Sequence, residues 1–134
     1  MKLKCHRFDL SIEPLTKVGA EGWLHFQVEI MVPGFSGSFE AEMQFEDLER
    51  FKNDLSEMEQ KVGIECEALL GSAEPGIHIL LKSDRLGRVT GEYQFESERY
   101  NGEPTCLSGL FEIDQTFIKP LMVSVSEDIK KITV

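Results

Sequence analysis

Residues 35–62 read FSGSFEAEMQFEDLERFKNDLSEMEQKV, and this stretch contains the change of period that decides the fold. Up to Gln44, apolar and polar side chains alternate, as expected for a strand with one buried face. From Leu48 onward the apolar residues recur at spacings of three and four, which places them on one side of a helix. We therefore predict a strand that leads into a helix over residues 46–62. The predicted buried stripe of this helix comprises Leu48, Phe51, Leu55, Met58 and Val62.

The chain on either side of this stretch shows the same two periods. Alternating runs at residues 8–13 and 24–32 come first, and Pro33-Gly34 predicts a hairpin that joins the second run to a strand over residues 35–45. Helical spacing returns near the C-terminus over residues 118–132, with Thr116 as the predicted cap. Between the two helices, further strands are predicted at residues 64–70, 77–81, 89–95 and 107–113, the last one preceded by the turn dipeptide Asn101-Gly102.

The predicted order of elements is βββαββββα, which indicates the α+β class. Short connections between neighbouring strands favour a mainly antiparallel arrangement. We expect a twisted sheet of about seven strands with the two helices packed on one face. A length of 134 residues is typical of one domain, so residues 1–134 are predicted to form a single domain.

The charge balance excludes several classes of partner. The chain has 14 basic and 24 acidic side chains, a net charge of −10 and a pI near 4.7. Such a field repels a phosphate backbone and an anionic membrane surface, so neither direct nucleic-acid binding nor membrane binding is expected. No apolar run approaches the length of a membrane span, and residues 1–7 lack the apolar region of a secretory signal. We therefore expect a cytoplasmic protein.

Few residues offer catalytic or metal-binding chemistry. The cysteines Cys5, Cys66 and Cys106 are odd in number and lack paired C-x-x-C spacing, which favours reduced, buried thiols over disulfides or zinc. The three histidines are dispersed, and no nucleophile lies in a recognised motif with a base. Carboxylates two residues apart on a strand could form an acid–base pair, but such pairs occur on many exposed strands. We predict no enzyme activity and no cofactor.

One side of the predicted sheet mixes acids with large apolar residues. If the aliphatic set faces the helices, the other set brings Trp23, Leu69, Leu80 and Leu110 together with several glutamates. This mixture is a candidate partner-binding surface, and an ordinary solvated sheet face remains the alternative. The predicted partner-binding residues are Glu40, Glu42, Glu65, Glu67, Glu92, Glu96 and Trp23.

Four segments of the chain resemble the WapI-type immunity proteins of bacterial polymorphic-toxin systems. The likeness extends over about residues 23–132 and is weakest over residues 1–14. The most specific segment is FEIDQTF, followed by an apolar helix. The segments are FSGSFEA at 35–41, FEDLERF at 45–51, GRVTGEY at 87–93 and FEIDQTF at 111–117.

The resemblance implies a small cytoplasmic protein that binds a toxin domain made by its own cell or a sibling cell. Toxins of this class are often nucleases with basic surfaces, and the acidic charge of this chain fits such a partner. The mechanism implied is steric occlusion of the toxin active site without turnover. The alternative is a domain that binds a small molecule or lipid without catalysis, which requires a roomy apolar cavity between sheet and helices. The resemblance carries over no binding residue, and no oligomeric state is predicted.

Overall fold

The computed structural model describes residues 1–71, 76–97 and 103–133, so the predicted turn at Asn101-Gly102 lies outside the described residues. The first half contains four strands and a helix. The second half contains four strands, a 3₁₀ turn and a helix. The elements are β1 (Lys2–Cys5), β2 (Phe8–Pro14), β3 (Trp23–Val32), β4 (Phe35–Gln44), α1 (Phe45–Gln60), β5 (Cys66–Gly71), β6 (Ile77–Ser83), β7 (Arg88–Glu96), β8 (Cys106–Asp114), the 3₁₀ turn (Gln115–Phe117) and α2 (Ile118–Thr133).

The α+β class and the antiparallel pairing are confirmed, but the strands form two sheets. The described strands pair in the order β1-β2-β3-β4 in the first sheet and β5-β6-β7-β8 in the second, antiparallel throughout. The expected seven strands become eight because β1 has four residues, too few for an alternating pattern to stand out. Alternation defines the two faces of a strand but not its neighbours, so the division into two sheets could not be predicted from it.

The inner faces of the two sheets meet at an aromatic cluster. The Phe8 ring of β2 stacks on the Phe111 ring of β8 with centroids 4.1 Å apart, and it also contacts Tyr93 of β7. Phe39 of β4 approaches Phe95 of β7 with a centroid distance of 6.1 Å. The sheets therefore cover part of each other's apolar surface.

The helices cover other parts of the two sheets. Helix α1 contacts β5 and α2, and α2 contacts β1 and β2. Buried side chains from both sheets and both helices belong to one hydrophobic cluster. The helices thus bridge two sheets, where the sequence predicted that they cover one face of a single sheet.

Helix α1 has the predicted phase but ends earlier than predicted. Leu48, Phe51, Leu55 and Met58 are buried as expected, whereas Val62 is exposed. The last helical hydrogen bond runs from the Lys61 backbone N–H to the Glu57 carbonyl, so Val62 lies in the following turn. At the start of the helix, the Gln44 backbone N–H donates to Asp47 Oδ2 at 3.3 Å, as in one half of a capping box.

The start of α2 is organised by Asp114 and not by the predicted cap Thr116. Asp114 Oδ1 accepts a 2.8 Å hydrogen bond from the Thr116 backbone N–H and another from the Thr116 hydroxyl. Thr116 lies inside the 3₁₀ turn that precedes α2, so its hydroxyl serves as a donor. The capping residue is therefore Asp114, which lies two residues before the predicted cap Thr116.

An ion pair connects α2 to the first sheet. The Met1 ammonium group and the Asp128 carboxylate are both buried and in contact. The same ammonium donates to the Ile12 carbonyl at 2.6 Å, and the Lys2 backbone N–H donates to Ser124 Oγ at 3.0 Å. Asp128 is therefore a buried acid on α2 whose charge is compensated.

Candidate functional site

The six predicted acids lie on two different sheets. Glu40 and Glu42 point outward from β4 in the first sheet, whereas Glu67 on β5 and Glu92 on β7 belong to the second. Glu96 is also on β7, and Glu65 immediately precedes β5. The single acidic face predicted from the sequence is therefore divided, because α1 carries the chain from one sheet to the other.

The outward side of the first sheet contains the predicted anchor Trp23. Its side chain is partly buried, and its indole N–H faces the side-chain amide of Gln44 across the β3–β4 pair. Further along the same strands, His25 Nδ1 lies 3.4 Å from Glu42 Oε1. Met31 is an exposed apolar side chain of this surface, with 62% of its area accessible. The structure places Trp23 on the first sheet, apart from Glu67, Glu92 and Glu96 on the second.

The outward side of β5–β8, which we call the second outer face, carries a row of leucines. Leu69 on β5 pairs directly with Leu80 on β6, Leu80 pairs with Glu92 on β7, and Glu92 pairs with Leu110 on β8. Directly opposed residues on antiparallel strands share a face, so the row crosses the whole sheet. Leu110 is 72% exposed and Leu69 is 38% exposed. We call Leu69, Leu80 and Leu110 the leucine row.

Acidic side chains flank the leucine row on one side, whereas the adjacent row on its other side, which comprises Gly71, His78, Gln94 and Ser108, contains no acid. In the row on the acidic side, Glu67 pairs with Lys82 and Thr90 pairs with Glu112. Lys82 Nζ lies 3.7 Å from Glu92 Oε1. Two cations, Lys82 and Arg88, lie among the outward-pointing residues of these strands. The acids on the second outer face are Glu67, Glu92, Glu96, Glu112 and Asp114.

Two of these acids were missing from the sequence prediction. Glu112 and Asp114 alternate with the buried residues Phe111 and Ile113, so both are in phase with Leu110. The same alternation that selected the other acids could have found them. Hydrogen bonds from the Thr116 hydroxyl and backbone N–H lower the pKa of Asp114, which keeps its charge on this face at lower pH.

The described cavities are surface grooves. One cleft of about 570 Å³ lies where the β1–β2 and β3–β4 turns approach β7 and β8, and its lining includes Phe8, Tyr93 and Phe111. Burial raises the pKa of Tyr93, whose side chain is therefore a neutral phenol. A second groove of about 310 Å³ lies between β4 and β8. Both differ from the cavity between sheet and helices that the ligand-binding alternative requires.

The described histidines, cysteines and acids show no metal-binding arrangement. Within residues 1–71, 76–97 and 103–133, no group of three or more His, Cys, Asp or Glu side chains is placed to hold a metal ion. All three cysteines are free. Cys5 and Cys66 are partly buried, but Cys106 is exposed, contrary to the predicted burial, because it lies on the outward side of edge strand β8.

This arrangement leads to a first prediction about metals. We expect the melting temperature of the purified protein to be unchanged by a strong chelator, because a structural metal would contribute its binding energy to folding. Differential scanning calorimetry with and without the chelator measures this. A drop in melting temperature on chelation, restored by added metal, would contradict the prediction.

The fold and this surface define an α+β protein whose distinctive feature is an outward-facing acidic and apolar sheet. The chain belongs to the immunity protein WapI-like family, whose model matches residues 3–133. The match includes residues 3–14, where the resemblance of individual segments was weakest. Membership supports an immunity role and implies a toxin as the partner.

Comparisons with curated proteins and with solved structures identify no further relative of this chain. In the part of the chain that the structure describes, neither helix has the length and apolar character needed to cross a membrane.

Proposed function

We propose that this protein neutralises a cognate toxin by binding the toxin domain and blocking access to its active site, and that the toxin is a nuclease with a basic surface. The observation that carries the proposal is membership of the immunity family over residues 3–133 together with a net charge of −10. A nuclease must attract a polyanion, so its substrate-binding surface is basic. An acidic immunity protein can compete for that surface.

Charge and apolar contacts have different roles in such a complex. Long-range attraction between an acidic and a basic surface accelerates association, whereas apolar side chains excluded from water slow dissociation. Glutamates on both outer faces contribute to the field, so Glu40 and Glu42 can act in steering although they lie on the first sheet. The proposed partner-binding residues therefore form two groups, of which one contacts the toxin domain directly and the other acts only through its charge. The first group is Trp23, Glu40 and Glu42 on the first sheet, and the second is Glu65, Glu67, Glu92 and Glu96 on or beside the second sheet.

The proposal is tested by co-expression with the cognate toxin domain, which is to be sought among the genes next to the gene for this protein. We expect this protein to restore growth, and the purified protein to inhibit nucleic-acid cleavage at a stoichiometric ratio. A noncognate immunity protein of the same family serves as the control. Failure to restore growth or to bind the toxin domain would contradict the proposed function. Inhibition of a toxin that does not cleave nucleic acid would retain the immunity role and reject the nuclease assignment.

The steering role gives a second prediction, for the double substitution Glu65→Lys/Glu67→Lys. Both side chains are exposed and Glu65 has a long contact of 3.9 Å with Arg85, so the fold should be retained. We expect the association rate with the toxin domain to fall about tenfold at low salt and the difference to shrink at high salt. Stopped-flow kinetics at two salt concentrations measure both effects.

A control with the same change in net charge isolates the position of the charges. Glu49→Lys/Glu127→Lys reverses two exposed helical acids outside the proposed partner-binding residues. A smaller effect of this control is expected because steering depends on the local field near the docking surface. Equal slowing by the two double variants would show that net charge alone matters and that Glu65 and Glu67 have no special position.

A further inference from the structure

The second outer face differs from the first in how it combines apolar and acidic groups. On the first sheet, exposed Met31 has the polar neighbours Asp9 and Ser36 directly opposite on the adjacent strands. On the second sheet, the leucine row has members on β5, β6 and β8, and Glu92 of β7 lies between Leu80 and Leu110. Three strand spacings separate its two ends, a width of about 14 Å. Three leucines within this width are a larger apolar centre for a protein interface than Met31 and the partly buried Trp23, which lie near opposite ends of β3.

The charge of this face selects the kind of partner. Five acids and two cations lie on it, and Lys82 is already engaged at 3.7 Å from Glu92. The partner that fits has apolar side chains at its centre and lysine or arginine side chains at its rim. A second copy of this chain fits poorly, because symmetric pairing of the same face brings acids against acids.

We propose that the second outer face is the surface that docks the toxin domain, with the leucine row as its desolvated centre and Glu67, Glu96 and Glu112 at its rim. This inference rests on the proposed immunity function and adds to it which of the two sheets binds. Leu80 and Leu110 make the apolar contacts that slow dissociation. The rim acids pair with cations that the toxin uses to hold its substrate.

The test compares matched apolar truncations on the two outer faces. Leu110→Ala and Met31→Ala remove similar amounts of exposed apolar surface, since these side chains are 72% and 62% accessible. The double variant Leu80→Ala/Leu110→Ala extends the truncation along the row, and Leu110→Ala alone serves if the double variant is unstable. Melting temperatures establish that each variant is folded. Binding to a catalytically inactive form of the cognate toxin domain, identified by the co-expression test, is then measured by biolayer interferometry.

We expect Leu110→Ala to weaken toxin binding by about tenfold or more and the double variant by about a hundredfold, mainly through faster dissociation. Met31→Ala should change affinity by less than about twofold. The loss should persist at high salt, because apolar contacts are not screened. The persistence at high salt separates the effect of the leucine truncations from the effect of Glu65→Lys/Glu67→Lys, which should shrink at high salt.

Four results would overturn the proposal. If the wild type, Leu110→Ala and the double variant all bind the toxin equally well, this face is not the docking surface, but the immunity function is retained. Stronger weakening by Met31→Ala would assign the interface to the first sheet. If the wild type is a dimer, and Leu110→Ala makes it monomeric without loss of toxin affinity, the face binds a second copy of this chain. Absence of toxin binding by the wild type would reject the immunity function together with this surface.

Discussion

Replacing Leu55 with alanine should lower the free energy of unfolding by about 2–5 kcal/mol. Leu55 lies midway along α1 with none of its surface accessible, within the core cluster that includes both helices and β5. The substitution removes buried methyl and methylene groups and leaves a cavity that close-packed neighbours fill only in part. Urea unfolding monitored by circular dichroism measures the loss.

Glu57→Ala on the same helix provides the control. Its side chain is 65% accessible and lies 3.7 Å from Lys61 in an exposed pair one turn apart. Because such pairs contribute little, we expect a change of no more than about 0.5 kcal/mol. Similar losses from Leu55→Ala and Glu57→Ala would contradict the helical phase on which the core assignment depends.

The periodicity of apolar residues predicted both helices, seven of the eight described strands and the buried side of each, but it missed the four-residue strand β1. The change of period at residues 44–48 gave α1, and the residues predicted to be buried from Leu48 to Met58 are buried in the structure. The prediction failed at Val62, where apolar spacing continued after the last helical hydrogen bond. Apolar spacing reports which positions could share a face and does not detect where backbone hydrogen bonding ends.

The pairing of strands into sheets was not accessible from the same pattern. Each of β4 and β5 has a clear inner face, yet they belong to different sheets because α1 intervenes and the rings of Phe8, Phe39, Phe95 and Phe111 fill the space between the sheets. An alternating strand is equally compatible with either neighbour. The candidate site inherited this error, since acids with the same phase were assumed to share one surface.

The sequence predicted the apolar residues of the second outer face but not their alignment across the strands. Leu69, Leu80 and Leu110 were all assigned to the outward side, and the register brings them into one row. Sequence spacing within one strand cannot give that row, because it depends on the offset between strands. The order of strands and the turns between them determine the offset.

The last prediction concerns the close contact between β7 and β8. We expect Gly91→Ala to destabilise the protein by about 3 kcal/mol or more, which is at or above the usual upper end for an overpacked core. Gly91 on β7 is directly opposite Phe111 on β8, and a Cβ atom at Gly91 would lie 2.1 Å from Cζ of the Phe111 ring. The ring is held by the stacked Phe8 ring, with centroids 4.1 Å apart, and by Tyr93, with centroids 6.2 Å apart. Relief therefore requires the ring to leave its stack on Phe8 or β8 to shift.

Two comparisons identify the Phe111 ring as the cause of this loss. Gly37→Ala on β4 adds a Cβ atom whose nearest neighbour, Ile30 Cγ2, is 3.5 Å away, so we expect a change within about 1 kcal/mol. In Gly91→Ala/Phe111→Leu, the flat ring is replaced by a smaller side chain that can rotate away from the new methyl group. Unfolding free energies of the two single variants and the double variant should show a favourable coupling of at least about 1 kcal/mol. Purely additive losses would mean that Gly91→Ala acts through the backbone and not through contact with the aromatic ring.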